Sequence, residues 1–511
     1  MKFKDLYDFN SIYQDSLFPD DLSRAAFIYQ GNTVTYAECK QRVDLLCVQL
    51  AAWGIKPGDR LGYSLPSSPE AFFLYMALQR LGACAIPLHE QIPPPAKLGI
   101  WQACKADFVI AGDHLLPAIK QALLNGGINT PVASLSSLPS ADIEDSAVTF
   151  TAQPDAIALM AMSSGTTGRP KIVAPTQRNA ATVLKAAHHL MQPSAEGYQL
   201  VIGFPLSTSG ILTCMGMFAA GVTLVIPEDM SPNSFLTLAE SAQAIAAPPA
   251  YLEGLTAAAN GRTYASVERV YTGMDFFRNA LLEKMRAPFP NLNRAGNGYG
   301  LVETSTVLMT WHAHSADEFS LPTNRMQPVA GIGNEFAVKD SEGKEVAPGQ
   351  QGELHVRGNS VVSGYLNQPD SQAFNDGWFA TGDIAIAHED GSISLLGRSK
   401  DIIKRGGRSI SPIEVTDFVN QLANVEASAA VGVPHELYGE MLWLFIVGDA
   451  KHRDIMRACR QHLAPYLVPD QIRSIAELPK NPGVGKLDYN ALKILALAEL
   501  TEGADNECEM G

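Results

Sequence analysis

Positive charge is scarce in this 511-residue chain: 38 Lys and Arg stand against 53 Asp and Glu, a formal net charge of −15. Charged residues make up only 18% of it, and the pI is near 5.2. So acidic a surface repels phosphate backbones, which excludes a nucleic-acid binder without a local basic groove. Apolar runs are short. No stretch of 18 uncharged apolar residues occurs, so no membrane-spanning helix is expected. The opening MKFKDLYDFNSIYQDSLF has no continuous apolar core of the kind a secretory signal needs. Cysteine is sparse and odd in number, at 39, 47, 84, 104, 214, 459 and 508, with no CxxC and no Cys/His group at metal-ligand spacing. That argues against a disulfide scaffold or thiolate metal centre, and for reduced, buried thiols in a cytoplasmic protein. Repeats and low-complexity tracts are missing too, the 42 glycines and 32 prolines being spread along the chain.

What is present is ample core material. Apolar residues reach 46%, and at ~150 residues per domain the length suggests about three units, although large α/β folds can run as one. Residues 26–36, AFIYQGNTVTY, read as two short strands around a Gly-Asn turn. Val43, Leu46, Cys47, Leu50 and Ala51 then follow the spacing of one helix face. Pro69 opens a second helix that stops at Gly82, and CAIPL follows as a strand. Such alternation marks parallel α/β layers, and it recurs at 105–112, 156–162, 199–206 and 222–227. Those strands end in Gly, Ser or Pro, where a site forms outside the carboxyl ends of a parallel sheet. After about 330 the pattern alternates polar and apolar residues around turn pairs, predicting hairpins of an antiparallel sheet or small barrel. Beyond Arg398 a compact run contains a helix with Ser411 as N-cap and Pro412 at its first position, and another near 452–464. The expected domains are 1–397, a hinge at 398–400, a small mobile α+β domain at 401–498 and a flexible acidic tail at 499–511.

The segment richest in chemistry is Ser163-Ser164-Gly165-Thr166-Thr167-Gly168-Arg169-Pro170-Lys171, after the apolar strand AIALMAM. Glycines let backbone N–H groups approach an anion, and hydroxyls add donors that can wrap a polyphosphate. A solvent-exposed turn is the alternative reading. No GxxxxGK[ST] pattern fits, so this is not a Walker A loop.

SSGTTGRPK resembles the phosphate loop of the adenylate-forming superfamily, which includes acyl-CoA synthetases, aryl-CoA ligases, peptide-synthetase adenylation domains and firefly luciferase. Further matches follow in the family's order: Tyr299-Gly300-Leu301-Val302-Glu303, GELHVRGNSVVSGYLNQP at 352–369, Gly377-Trp378-Phe379-Ala380-Thr381-Gly382-Asp383, GRSKDIIKRGGRSISPIEV at 397–415, VGVPHELYGE at 431–440 and LPKNPGVGKLD at 478–488. Together they span about residues 30 to 495. The resemblance implies that a carboxylate attacks the α-phosphorus of ATP to give an acyl adenylate and pyrophosphate, and that a thiol then expels AMP. Charge neutralisation by Mg²⁺, Lys and hydroxyl donors is the catalytic requirement. It also implies roles. Ser163, Ser164, Gly165, Thr166, Thr167, Gly168 and Lys171 would hold phosphates, with Asn297 and Gly300 also against the nucleotide. Glu303 would ligate Mg²⁺, and Tyr299 would stack on adenine. Asp383 would accept from both ribose hydroxyls, and Arg398 would contact ribose and phosphate. Lys486 would bridge the α-phosphate and the carboxylate. Glu303, Thr166, Arg398 and Lys486 form the catalytic set. Lys400 is the implied hinge, and Gly406 and Gly407 line the thiol tunnel.

Four departures stand out. Gly483-Val484 lengthens the loop before Lys486. Val302 replaces a common Thr, with Thr304 one register away. Ile172 replaces the glycine after the loop lysine, and Gln177 replaces a common His. The acyl pocket falls to FPLSTSG at 204–210, including Ser207 and Thr208, and to Thr272, Gly273 and Met274. An Asp that would pair an α-ammonium is absent there. An unpaired ammonium in a partly dry pocket is costly, so a non-amino carboxylic acid is expected. Met274, in place of a glycine, should narrow the cavity. Asp275 could accept from the adenine amino group or a polar substrate, or could cap the following helix. CoA and carrier-protein phosphopantetheine both remain possible thiols, with CoA the first reading. A non-catalytic nucleotide-binding scaffold is the reading from another class.

Overall fold

The computed structural model describes residues 17–140, 153–163, 171–192, 197–204, 209–305, 307–480 and 487–508, the side chains of Ser163, Ser209 and 501–508 excepted. Its main sheet joins two regimes. Strands Ala25–Tyr29, Thr223–Ile226, Gln199–Ile202, Ala244–Ala246, Arg269–Gly273 and Arg294–Gly300 lie parallel in that order. Strand Val307–Ala313 then reverses direction. Arg325–Pro328, Ile393–Arg398, Trp378–Ala387, Gln351–Gly358 and Asn334–Lys339 extend the sheet antiparallel. The antiparallel unit expected after 330 is thus hydrogen-bonded in line with the parallel one. A second, parallel sheet orders Cys84–Pro87, Arg60–Ser64, Phe108–Ala111 and Val132–Ala133. The small domain builds its own sheet from Arg408–Ile410, Ile403–Arg405, Gly439–Val447, Ala427–His435 and Gln471–Ser474. Apolar cores sit between these sheets and their helices, with a separate one under the small domain's helix Pro412–Val419.

Local chemistry explains most boundaries. Helix Tyr36–Trp53 starts at Thr35 in a capping box with Glu38 and ends at Gly54, whose φ of 105° only glycine adopts readily. Its buried face carries Val43, Leu46, Cys47 and Leu50, while Ala51 is exposed. Helix Pro69–Arg80 begins with Pro69 at its first turn and is buried on nearly every side. The 25–35 hairpin corrects one expectation: its turn residues are Gln30 and Gly31, both at positive φ, rather than Gly31 and Asn32. At the C-terminus the last helix overlaps the expected tail. Helix Tyr489–Cys508 runs into residues 499–508. No helix among the described residues is long and apolar enough to cross a membrane.

Candidate active site

The parallel strands deliver their carboxyl ends to one place. Thr272 and Gly273 close strand Arg269–Gly273, in register with Asn297 and Gly298 of the next strand. That neighbour continues into Tyr299 and Gly300, and a 3₁₀ turn at Val302–Thr304 follows at once, carrying Glu303. The strands approach closely here. A Cβ on Gly273 would lie 2.8 Å from the Gly298 carbonyl oxygen, so larger residues would push the two strand ends apart. The Thr272 hydroxyl is committed to the Ala247 carbonyl at 2.8 Å.

Two polar clusters form beyond these strand ends. In the first, the Tyr299 hydroxyl donates to Asp383 Oδ2 at 2.6 Å, and Arg398 Nε lies 3.2 Å from Asp383 Oδ1. Asp383 and Arg398 face each other across one hairpin. Arg398 also donates to the Thr381 carbonyl at 2.8 Å, fixing its guanidinium against that hairpin. Burial, then the Asp383 charge, push the Tyr299 hydroxyl well above its ordinary value, so it stays a donor. In the second cluster, buried Glu303 accepts from the Tyr365 hydroxyl at 2.9 Å. The Lys171 ammonium stands 4.5 Å from the centre of the Tyr365 ring. Burial and the Glu303 charge raise the Tyr365 hydroxyl too.

Tyr365 was not singled out by the sequence reading, although GYLNQP contains it. The segment also fixes the two strands that flank residues 164–170. Tyr365 bridges Val173, and Asn367 Oδ1 accepts from the Ile172 amide at 2.8 Å. Those strands form a ribbon in which Ser163 pairs with Lys171. Ser164, Gly165, Thr166, Thr167, Gly168, Ser207, Thr208 and Lys486 lie outside the described residues.

Three of the four departures find physical explanations, and the fourth, Gly483-Val484, lies outside the described residues. Ile172 is buried among Met160, Cys84 and their neighbours, where glycine would leave a void. Gln177 is buried, its amide linking the backbones of Gln153 and Gln79. Val302 packs with Val173, Val362 and Tyr365. The Thr304 hydroxyl meets both the amide and the carbonyl of Leu301 at 3.0 Å, so it serves the local turn. Met274 is half exposed at φ 71°, a left-handed conformation that costs a side-chain-bearing residue ~1 kcal/mol. Asp275 does not cap the next helix: Asn279–Met285 has Arg278 as N-cap, and the Asp275 carboxylate accepts from the Phe276 amide at 2.8 Å.

Gly406 and Gly407 stand apart, at φ 56° and 78° on the turn of the small domain's first hairpin, where an added Cβ would meet nothing within 4 Å. The Gly406 amide donates to the Tyr438 carbonyl. Lys400 is exposed on the turn following Arg398. From the small domain, Tyr489 reaches the large one: burial, followed by charges that include Arg278 and Asp275, places its hydroxyl at about 12.

Among the described residues no group of three or more His, Cys, Asp or Glu converges on a possible metal position. A single buried carboxylate at Glu303 nevertheless fits Mg²⁺, which commonly takes one or two protein carboxylates and completes its shell with water and phosphate oxygens.

The chain has known relatives along most of its length. The family described as "AMP-binding enzyme" matches residues 20–366, and "AMP-binding enzyme C-terminal domain" matches 414–484. Triostin synthetase I of Streptomyces triostinicus is 29% identical over 503 residues, covering 93% of this chain and 92% of its own. Oxalate–CoA ligase of Arabidopsis thaliana is 29% identical over 498 residues, covering 91% and 93%. The crystal structure of ATP-bound MatB from Rhodopseudomonas palustris superposes with a TM-score of 0.81 at 22% identity, covering 95% of this chain and 98% of that one.

Proposed function

The chain belongs to the AMP-binding enzyme family, and from that premise we propose that it activates a carboxylic acid with ATP and passes the acyl group to the thiol of CoA. The observation that carries this reading is the Tyr299–Asp383–Arg398 cluster beside the Glu303–Tyr365–Lys171 cluster. One has the donors and acceptors a ribose needs. The other has a carboxylate and a cation suited to a polyphosphate and its metal.

In this reading Asp383 accepts from the ribose hydroxyls while Tyr299 and Arg398 hold its carboxylate in place. The Tyr299 ring offers a face for adenine. Lys171 and the hydroxyls of residues 163–167 neutralise charge on the phosphates. Mg²⁺ held by Glu303 would supply further neutralisation of the β- and γ-phosphate oxygens. The substrate carboxylate attacks the α-phosphorus and pyrophosphate leaves, with Lys486 bridging the reacting oxygens. The small domain then turns about Lys400 to bring the Gly406-Gly407 turn toward the acyl adenylate, the thiol attacks the acyl carbon, and AMP leaves. The side chain of Met274 and the missing Asp in FPLSTSG favour a small or medium acid without an α-amino group. The alternative acceptor is the phosphopantetheine of a carrier protein, which presents the same thiol as CoA. Acid-dependent ATP–pyrophosphate exchange over a mixed carboxylate panel tests the reading. Exchange followed by acyl-CoA formation upholds it. Exchange that proceeds to product only with carrier protein assigns the alternative, and no exchange with any acid refutes catalysis.

A further inference from the structure

The two domains meet through an unusual charge pair. Arg278 precedes the large domain's helix Asn279–Met285, and Asp417 lies on the small domain's helix Pro412–Val419. Arg278 Nε and Asp417 Oδ1 are 3.8 Å apart, too far for a hydrogen bond. Both atoms are buried without a hydrogen-bond partner, although 42% of the Asp417 side chain as a whole stays accessible. Such a pair carries a desolvation cost that its attraction offsets only in part. Two other bonds between the domains among the described residues are of a different kind: Lys284 reaches the Glu426 carbonyl at 3.5 Å, and Ser411 donates to the Leu396 carbonyl.

We propose that the Arg278–Asp417 pair is a positioning contact that limits how firmly the small domain docks in the orientation seen here, so that the domain can leave for the second half-reaction. The inference rests on the two-step reading above. The charges around the pair are few and identifiable. Tyr489, at the head of the terminal helix, feels Arg278, Asp401, Asp275 and Asp417. Glu414 lies one turn earlier on Asp417's own helix, and the ring of His462, on the helix His452–His462, lies tilted against adjacent Phe418 with centroids 5.7 Å apart. Burial raises the Asp417 carboxyl from an ordinary 3.8 to about 6, against the pull of Arg278. A group whose docked-state value is raised favours docking when protonated. The advantage is complete below about 4 and is lost as pH rises through about 6. Across pH 5 to 8 the docking equilibrium should shift by at most about tenfold, the accessible part of the carboxyl setting the true value lower.

Interdomain energy transfer reads this directly, with dyes on Leu124→Cys and Arg453→Cys, both exposed positions, in a Cys508→Ser background. The wild type should dock progressively as pH falls from 8 to 5. Asp417→Asn should remain docked throughout, with the pH dependence lost. Arg278→Gln should undock at pH 8 and recover at pH 5, and Arg278→Lys should restore the wild-type curve. In the half-reactions, Asp417→Asn should retain pyrophosphate exchange and slow conversion of a supplied acyl adenylate several-fold. An Asp417→Asn distance curve that tracks the wild type, undocking of that variant, or unslowed thioester formation by it overturns the proposal. The distances need neither acid nor thiol. Absence of exchange in the wild type would therefore count against the functional reading alone and leave the distance curves to decide this one.

Discussion

Replacing Tyr299 with Phe removes one oxygen and keeps the ring, which separates two roles assigned to one side chain. The lost oxygen donates at 2.6 Å to Asp383, which is 6% exposed and also faces Arg398. A hydrogen bond to a buried charge contributes about 1.5–3 kcal/mol. If Asp383 grips the ribose, that loss should appear in nucleotide binding. At 1.4 kcal/mol per factor of ten it raises the KM for ATP about 10- to 100-fold. The rate at saturating ATP should change far less, because adenine still finds an aromatic face. Initial rates of pyrophosphate exchange across an ATP titration measure both quantities, and Tyr299→Leu, which removes the ring as well, should be worse again. Thermal melting without ATP guards against misfolding. A Phe variant with unchanged ATP KM and a normal melting temperature would refute the argument, because Asp383 would then not be the ribose acceptor that Tyr299 orients.

Other substitutions address the remaining groups. Glu303→Gln keeps an acceptor for Tyr365 and should leave the melting temperature unchanged while costing about 3 kcal/mol of adenylation. Unaltered turnover across a magnesium titration would remove Glu303 from the site. Met274→Gly should gain about 1 kcal/mol of stability by relieving the backbone at φ 71°. It should also shift preference toward wider acids by 1–3 kcal/mol, about 10- to 200-fold in relative kcat/KM across the acid panel; a best acid that is proteinogenic or long-chain in the parent protein would contradict the pocket reading. Lys486→Ala should abolish adenylate formation yet still convert a supplied acyl adenylate. Lys400→Pro, which fixes φ near −65°, should do the reverse. Equal loss of both half-reactions in both variants would exclude domain alternation.

The sequence signals that proved informative were short-range ones. Pro69, Ser411 with Pro412, and the turn pairs after 330 each act within a few residues, so their elements are visible in the string. Glu303 and Asp383 were legible by resemblance, since their motifs are compact. What spacing could not show were partnerships across the chain. Tyr365 reaches Glu303 over 62 positions, and Arg278 meets Asp417 over a still longer separation, across a domain boundary. Neither has a local periodicity, because the first depends on how distant turns converge and the second on how the two domains dock. Asp275 was ambiguous for the same reason. Whether it capped a helix depended on where that helix began, and the chain runs three more residues before Asn279.

The facing register of Asp383 and Arg398 has a kinetic corollary. If Asp383 grips the ribose and the small domain turns about Lys400, the carboxylate offered to the nucleotide is held by a guanidinium two residues before the pivot, and emptying the site would change the stiffness of the strand end about which the domain swings. Product clearance and pivot compliance then become a single variable. A faster descendant of this enzyme could not loosen its hold on AMP through this hairpin without also altering how freely its own domain turns.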